Sequence, residues 1–374
     1  MSVRATLEAP PVAGIAPRYK WLVLSNTTIG VLLATIDLSI MLIAMPDIFR
    51  GIKLNPLAPG NSFYLLWMIL GYLIVSSVLV VSLGRLGDMF GRVRMYSLGF
   101  VIYTSASFVL TIDPLTAQSG ALWLIIGRLL QGVGAAFLVA NSAAIITDAF
   151  PATQRGLALG INSIAAISGQ FIGLILGGVL GAIDWRLVFL VSVPFGLFGT
   201  IWSYRNLKEL GQRHRARIDW RGNVTFAMGL VLVMIGITYG IEPADGKSMG
   251  WTSAPVVTLL AAGVASLGTF AVIESHVAEP MFRLALFRIK AFTFGTLATF
   301  LSAIGRGGLM FMLIIWLQGI WLPLHGYSFA QTPLWAGILM LPLTAGFLLA
   351  GPVSGYLSDH IGARYLATGG MTGA

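Results

Sequence analysis

The sequence predicts an all-α polytopic membrane protein, and three observations carry that prediction. Of 374 residues, 57% are hydrophobic and only 10% are charged. A soluble domain carries about 25% charged residues, so this chain has too little charge to cover a water-facing surface. Its apolar residues fall in uncharged or nearly uncharged blocks of 18 or more, long enough for helices across a hydrocarbon core about 30 Å thick. Strands of a membrane barrel would instead be about 10 residues of alternating polarity. The 23 Lys and Arg residues, finally, are divided very unevenly between alternate loops. With no Cys, disulfides, thiolate metal sites and thiol nucleophiles are excluded together, and helix packing alone must hold the fold.

Residues 1–20 form a basic tail with Pro10, Pro11 and Pro17. No small-residue cleavage site follows a short apolar core, so the first span reads as permanent. Ten spans are expected, at Trp21 to Met45, Phe63 to Leu83, Met95 to Ile112, Ala121 to Thr147, Gly156 to Ile183, Leu187 to Tyr204, Gly222 to Ile241, Trp251 to Ile273, Ala291 to Trp321 and Phe329 to Leu357. An eleventh starts at Tyr365 and stops at Ala374. With the N-terminus cytoplasmic, loops on that side hold 17 of the 23 basic residues. The opposite loops hold only Arg50, Lys53, Arg186 and Lys247, while Arg128 and Arg306 lie inside spans. That asymmetry follows the positive-inside rule for a protein of the cell membrane. The formal charge of +9 is spread over loops and forms no patch, so the expected partner is the bilayer and not nucleic acid.

An internal repeat divides the chain. Gly84-Arg85-Leu86-Gly87-Asp88-Met89-Phe90-Gly91-Arg92 follows the second span, and Gly355-Tyr356-Leu357-Ser358-Asp359-His360-Ile361-Gly362-Ala363-Arg364 follows the tenth. Glycines permit a tight joint between helices, a carboxylate accepts bonds from amides at a helix start, and arginines anchor the cytoplasmic face. Either copy alone reads as a charged hairpin turn. Together they make Gly84, Asp88, Gly91 and Arg92, and Gly355, Asp359, Gly362 and Arg364, candidate gating loops. If spans nine and ten correspond to one and two, residues 21–204 form a six-helix bundle and 205–221 a basic linker. Residues 222–273 are then two inserted helices, 274–290 a second linker, and 291–374 an incomplete C-terminal bundle. On that expectation the chain needs further helices, or a complementary chain, before it can transport.

The doubled loop resembles the cytoplasmic signature of the major facilitator superfamily, and the two inserted spans resemble its fourteen-helix drug:proton antiporter branch. Leu33-Ala34-Thr35-Ile36-Asp37 running into Ala44-Met45-Pro46, Gly127-Arg128-Leu129-Leu130-Gln131-Gly132, Glu279-Pro280 and Leu286-Phe287-Arg288 are similar to the same branch. The resemblance extends from about Trp21 to the end. It implies helix bundles of the major-facilitator type and secondary active transport by alternating access.

Charges inside spans usually serve transport, because an isolated one costs about 2.5–3.5 kcal/mol at a helix centre. Asp37, the only acid within the ten expected spans, lies roughly 24 Å from the cytoplasmic end of span one, and Arg128 roughly 10 Å below the opposite surface. The two have similar depth and can pair if spans one and four share a cavity, as the resemblance implies. Asp37 is then a proton carrier and Arg128 the charge that tunes it; the alternative is a static buried pair. Arg306, within Gly305-Arg306-Gly307-Gly308, is a candidate for binding an anionic group or pairing with a carboxylate. Gln131, Asn141 and Gln318 are candidate cavity contacts, with Trp67, Tyr72, Trp316 and Trp321 as aromatic walls for hydrophobic cations.

Span five carries Gly169, Gly173, Gly177, Gly178 and Gly181. The four-residue spacing keeps small residues on one face and lets another backbone approach. This is a helix-packing seam that either only packs or slides during transport. The similar antiporters carry a proline after the second glycine, where this chain has Leu174, which leaves export and import both open. No His spacing suits a metal, no phosphate-binding G-x-x-x-x-G-K-[ST] sequence occurs, and no span holds a nucleophile and base pair. The chain is therefore not expected to be an enzyme or to hold a cofactor or metal; its energy source is the proton gradient. The leading expectation is proton-coupled export of small hydrophobic or cationic compounds. The alternatives are a proton-coupled importer or uniporter, and a membrane sensor or assembly protein that does not transport.

Overall fold

A computed structural model describes residues 18–56, 58, 60–211, 219–241, 243, 249–277, 280, 284–361 and 368–370. Among them are ten helices long and apolar enough to cross a membrane. They are α1 (Tyr19–Gly51), α2 (Ser62–Phe90), α3 (Arg92–Thr111), α4 (Ala117–Ala149), α5 (Ala152–Ile183), α6 (Leu187–Asn206), α7 (Trp220–Ile241), α8 (Ala254–His276), α9 (Lys290–Leu324) and α10 (Thr332–Ile361). α6 is interrupted for one residue at Val191, and α9 passes through a π turn at Leu317–Trp321. The described residues contain no strand, and the all-α polytopic fold read from the sequence is the fold observed.

Several helices run past the apolar blocks that announced them. The 33 residues of α1 make a rod about 50 Å long, well beyond the hydrocarbon thickness, so its last turns carry polar residues. Two expectations change as a result. Arg50 lies in the last turn of α1 and not in a loop, where it pairs with Asp47 at 3.1 Å and suits the negative end of the helix. Asp37 is also not the only acid on a spanning helix, since Asp47 of α1 and Glu274 of α8 are both buried. The first gating loop shrinks to one residue, Gly91, whose φ of +113° breaks the rod between Phe90 and Arg92 at a conformation that favours glycine. Of its second copy, Gly355 and Asp359 lie in α10, while Gly362 and Arg364 are outside the described residues. So is most of the expected eleventh span.

Helices α1 to α6 pack on one another around α1 and α4. Towards the Gly51 end, Ile40, Met41, Ala44, Ile48 and Phe49 of α1 meet Met68, Leu110, Leu124 and Phe189. Towards the Tyr19 end, Val23 and Leu33 meet Val93, Tyr96, Phe100, Leu138 and Ile145. Asp37 lies between these two apolar layers. Helices α7 and α8 pair with each other, and Ser82 of α2 donates a hydrogen bond to Asn223 of α7. Helices α9 and α10 reach the first six through Ile314, Leu317, Leu322, Ala336 and Met340, packed on Ile43 of α1 and Leu174 of α5.

The glycine ladder has two jobs. A Cβ on Gly173 would stand 2.5 Å from the carbonyl oxygen of Ile36, on Gly177 2.9 Å from that of Ile40, and on Gly169 3.0 Å from that of Leu32. On Gly181 it would stand 2.8 Å from Asp47 Oδ2. Those four glycines therefore set the contact of α5 with α1. Gly178 alone faces α10, where a Cβ would come within 2.6 Å of Leu334 Cα.

Candidate functional site

The site is built where α4 presses on two neighbours at once. A Cβ on Gly132 would lie 2.8 Å from the carbonyl oxygen of Tyr72 in α2, and one on Gly134 2.6 Å from the backbone nitrogen of Tyr103 in α3. That double approach carries Arg128 over Tyr72 and Gln131 across to α3. The Arg128 guanidinium stacks on the Tyr72 ring at 4.3 Å from its centroid, and its Nε donates to the carbonyl of Met68 at 3.3 Å.

Arg128 Nη1 donates to Asp37 Oδ2 and to Gln131 Oε1. Gln131 Nε2 in turn donates to Asp37 Oδ1 at 3.1 Å and to Ser107 Oγ at 2.9 Å. Asp37, Arg128, Gln131 and Ser107 are all 0% exposed. Residues three apart on one helix share a face, which is how Arg128 and Gln131 reach one carboxylate together. Three helices thus converge on Asp37. The ensemble is charge-neutral, but its hydrogen bonding is incomplete: Arg128 Nη2 has no partner among the described residues, while the Tyr103 hydroxyl lies against Asp37. One buried carboxylate thereby ties α1 to α4 directly and to α3 through Gln131.

The other candidates stand elsewhere. Asn141 packs where α4 crosses α2, its amide nitrogen donating to Phe137 at 2.9 Å and its oxygen filling the space a Cβ on Gly87 would need. Gln318 sits in the π turn of α9 and donates to the carbonyl of Ile43 at 3.0 Å. Pro46 lacks the N–H that would bond the carbonyl of Leu42, so α1 is perturbed beside this contact. Arg306 is exposed on α9, away from the Asp37 cluster.

At the Tyr19 end a second charged cluster joins three helices. Arg92 binds Asp88 of α2 at 2.7 Å and Asp148 of α4 at 2.7 Å, while Glu209, just beyond α6, accepts the backbone N–H of Arg94 at 2.8 Å. Sequence reasoning found Asp88, Gly91 and Arg92 but missed Asp148 and Glu209. An acid in the last turn of a helix opposes the helix dipole, and at Asp148 that was the available signal. Ser107 and Tyr103 were missed as well; a Ser or Tyr within an apolar run gives no sign of which face it occupies.

The sequence profile of the Major Facilitator Superfamily matches residues 27–374. The chain belongs to that family. Among curated relatives it is 27% identical over 354 residues to the multidrug transporter protein MdtP of Bacillus subtilis, covering 94% of this chain and 60% of MdtP. It is 28% identical over 353 residues to the riboflavin transporter RibZ of Clostridioides difficile, covering 94% and 71%. The methylenomycin A resistance protein of Streptomyces coelicolor is 28% identical over 338 residues, covering 90% and 65%. The chain thus spans about 60% of the length of MdtP. Family membership and its many apolar helices make it a multi-pass membrane protein.

Proposed function

We propose that the protein exports small hydrophobic or cationic compounds across the cell membrane in exchange for protons, by alternating access, with its N-terminus in the cytoplasm. The observation that carries this reading is the buried pair of Asp37 and Arg128 in a three-helix layer. In one state Arg128 and Gln131 of α4 both hold the Asp37 carboxyl of α1. Protonation removes the charge that ties α1 to α4 and leaves Arg128 uncompensated, which favours a rearranged state. The similarity to multidrug and antibiotic resistance proteins supports the substrate class. The position of α7 and α8 in the chain, after the first six helices and before α9, and their packing as a separate pair beside α2, support the fourteen-helix branch. Asp88, Arg92 and Asp148 act as a clasp on the cytoplasmic side, and Gln318 lines the path near the bundle contact.

Import is the second reading, and Leu174 carries it: packed under α10, it occupies the position where the export branch places a proline. The experiment separates the two. The product of the full reading frame is reconstituted in vesicles loaded with a fluorescent hydrophobic cation, and a pH gradient is imposed in each direction. Export predicts saturable cation movement opposite to the proton flux; movement with the protons establishes import, and no gradient-dependent movement removes both.

A further inference from the structure

A groove on the outside of the helices, at the Tyr19 end, is lined by Phe90, Arg94, Met95, Leu98 and Tyr204 and has a volume of about 440 Å³. It lies where α2 gives way to α3 and α6 ends. Its walls are apolar except for two groups. The Tyr204 ring is 62% exposed, in the amphipathic manner of aromatic residues at a membrane interface. Arg94 is exposed, and among the described residues its guanidinium makes no ion pair.

The acids nearby already have partners. Asp88 and Asp148 hold Arg92, and Glu209 accepts the backbone N–H of Arg94. Exposed Arg205 and Lys208 add positive charge at the same end of α6. Beyond the groove, Val101 and Phe108 of α3 are 37% and 51% exposed and follow Arg94 and Leu98 at helical spacing on one face. Arg94 to Phe108 is about 21 Å of helix, more than the roughly 15 Å depth of one leaflet's hydrocarbon.

We propose that this groove binds one anionic phospholipid, its phosphate held by Arg94 and an acyl chain laid along α3. A free phosphate needs the arginine but not the apolar trough. A zwitterionic lipid fills the trough but carries a cation towards Arg94, Arg205 and Lys208. Charge and shape together therefore select a lipid with net negative charge. Such a lipid would be seated directly beside Gly91 and the Arg92 clasp.

The test uses the full-length protein in micelles containing equal phosphatidylglycerol and phosphatidylcholine, with retained lipid read by native mass spectrometry. Wild type should retain phosphatidylglycerol about fivefold over phosphatidylcholine, the gain from one basic residue at a membrane surface. Arg94→Gln and Leu98→Glu should each bring the ratio to parity, and Arg288→Gln, an exposed arginine outside the groove, should leave it unchanged. Equal retention in wild type overturns the proposal. So does an Arg288→Gln loss matching that of Arg94→Gln, which would reveal general surface charge. Displacement by inorganic phosphate with Leu98→Glu unaffected would show an anion site without a lipid, and overturns it too.

Discussion

Removing one member of a buried ion pair leaves the other uncompensated, at about 3–5 kcal/mol. Asp37→Asn is therefore expected to lower thermal stability as well as coupling, and only a readout that separates the two is informative. The predicted result is loss of gradient-driven transport with retention of substrate counterflow, which needs the folded cavity but no proton. Gln131→Leu removes the amide that joins Asp37 to Ser107, so gradient-driven transport should fall several-fold while substrate counterflow changes less. Equal loss of both would reduce Gln131 to packing. Asp37 and Arg128 were legible in the sequence because a charge within an apolar run is conspicuous. Tyr103, Ser107 and the stacking of Tyr72 on Arg128 were not, because their roles come from where Gly132 and Gly134 let α4 settle.

At the scale of helices, the contact of α5 with α1 rests on backbone proximity that a single methyl group disturbs. Gly173→Ala places a Cβ against the Ile36 carbonyl and should cost about 1–3 kcal/mol, as overpacking does. Gly156→Ala, on the same helix with nothing within 4 Å, should be neutral or slightly stabilising. Thermal denaturation of the two variants in one detergent checks the contrast; equal effects would show that helix propensity, not close approach, governs the ladder. The four-residue spacing announced a packed face but not its partner, which is α1 for all four glycines, while Gly178, outside that spacing, faces α10. Helix ends were the least legible feature. Charges such as Arg50, Arg85 and Arg94 bound the apolar runs, yet the backbone stays helical through all three, because water can hydrate side chains on a helix that protrudes.

Across the whole molecule, α9 and α10 touch the first six helices at the Gly51 end, where Gly337 lies under Leu174 and Arg50 donates to the carbonyl of Phe329 at 3.4 Å. If this contact opens during the cycle, a Leu174→Cys and Ala336→Cys pair, from one packed cluster, should cross-link on oxidation and stop transport reversibly. Residues 1–374 contain no Cys, so the pair has no background within them. Full cross-linking with undiminished transport would place the moving contact elsewhere. Export in exchange for protons requires that proton and substrate compete within one cycle centred on Asp37. Its most direct test adds a hydrophobic cation to the purified full-length protein in weakly buffered detergent and follows the pH. Stoichiometric proton release is expected from wild type and none from Asp37→Asn at matched cation binding. Equal release from both proteins, or none from wild type despite measured binding, would contradict it.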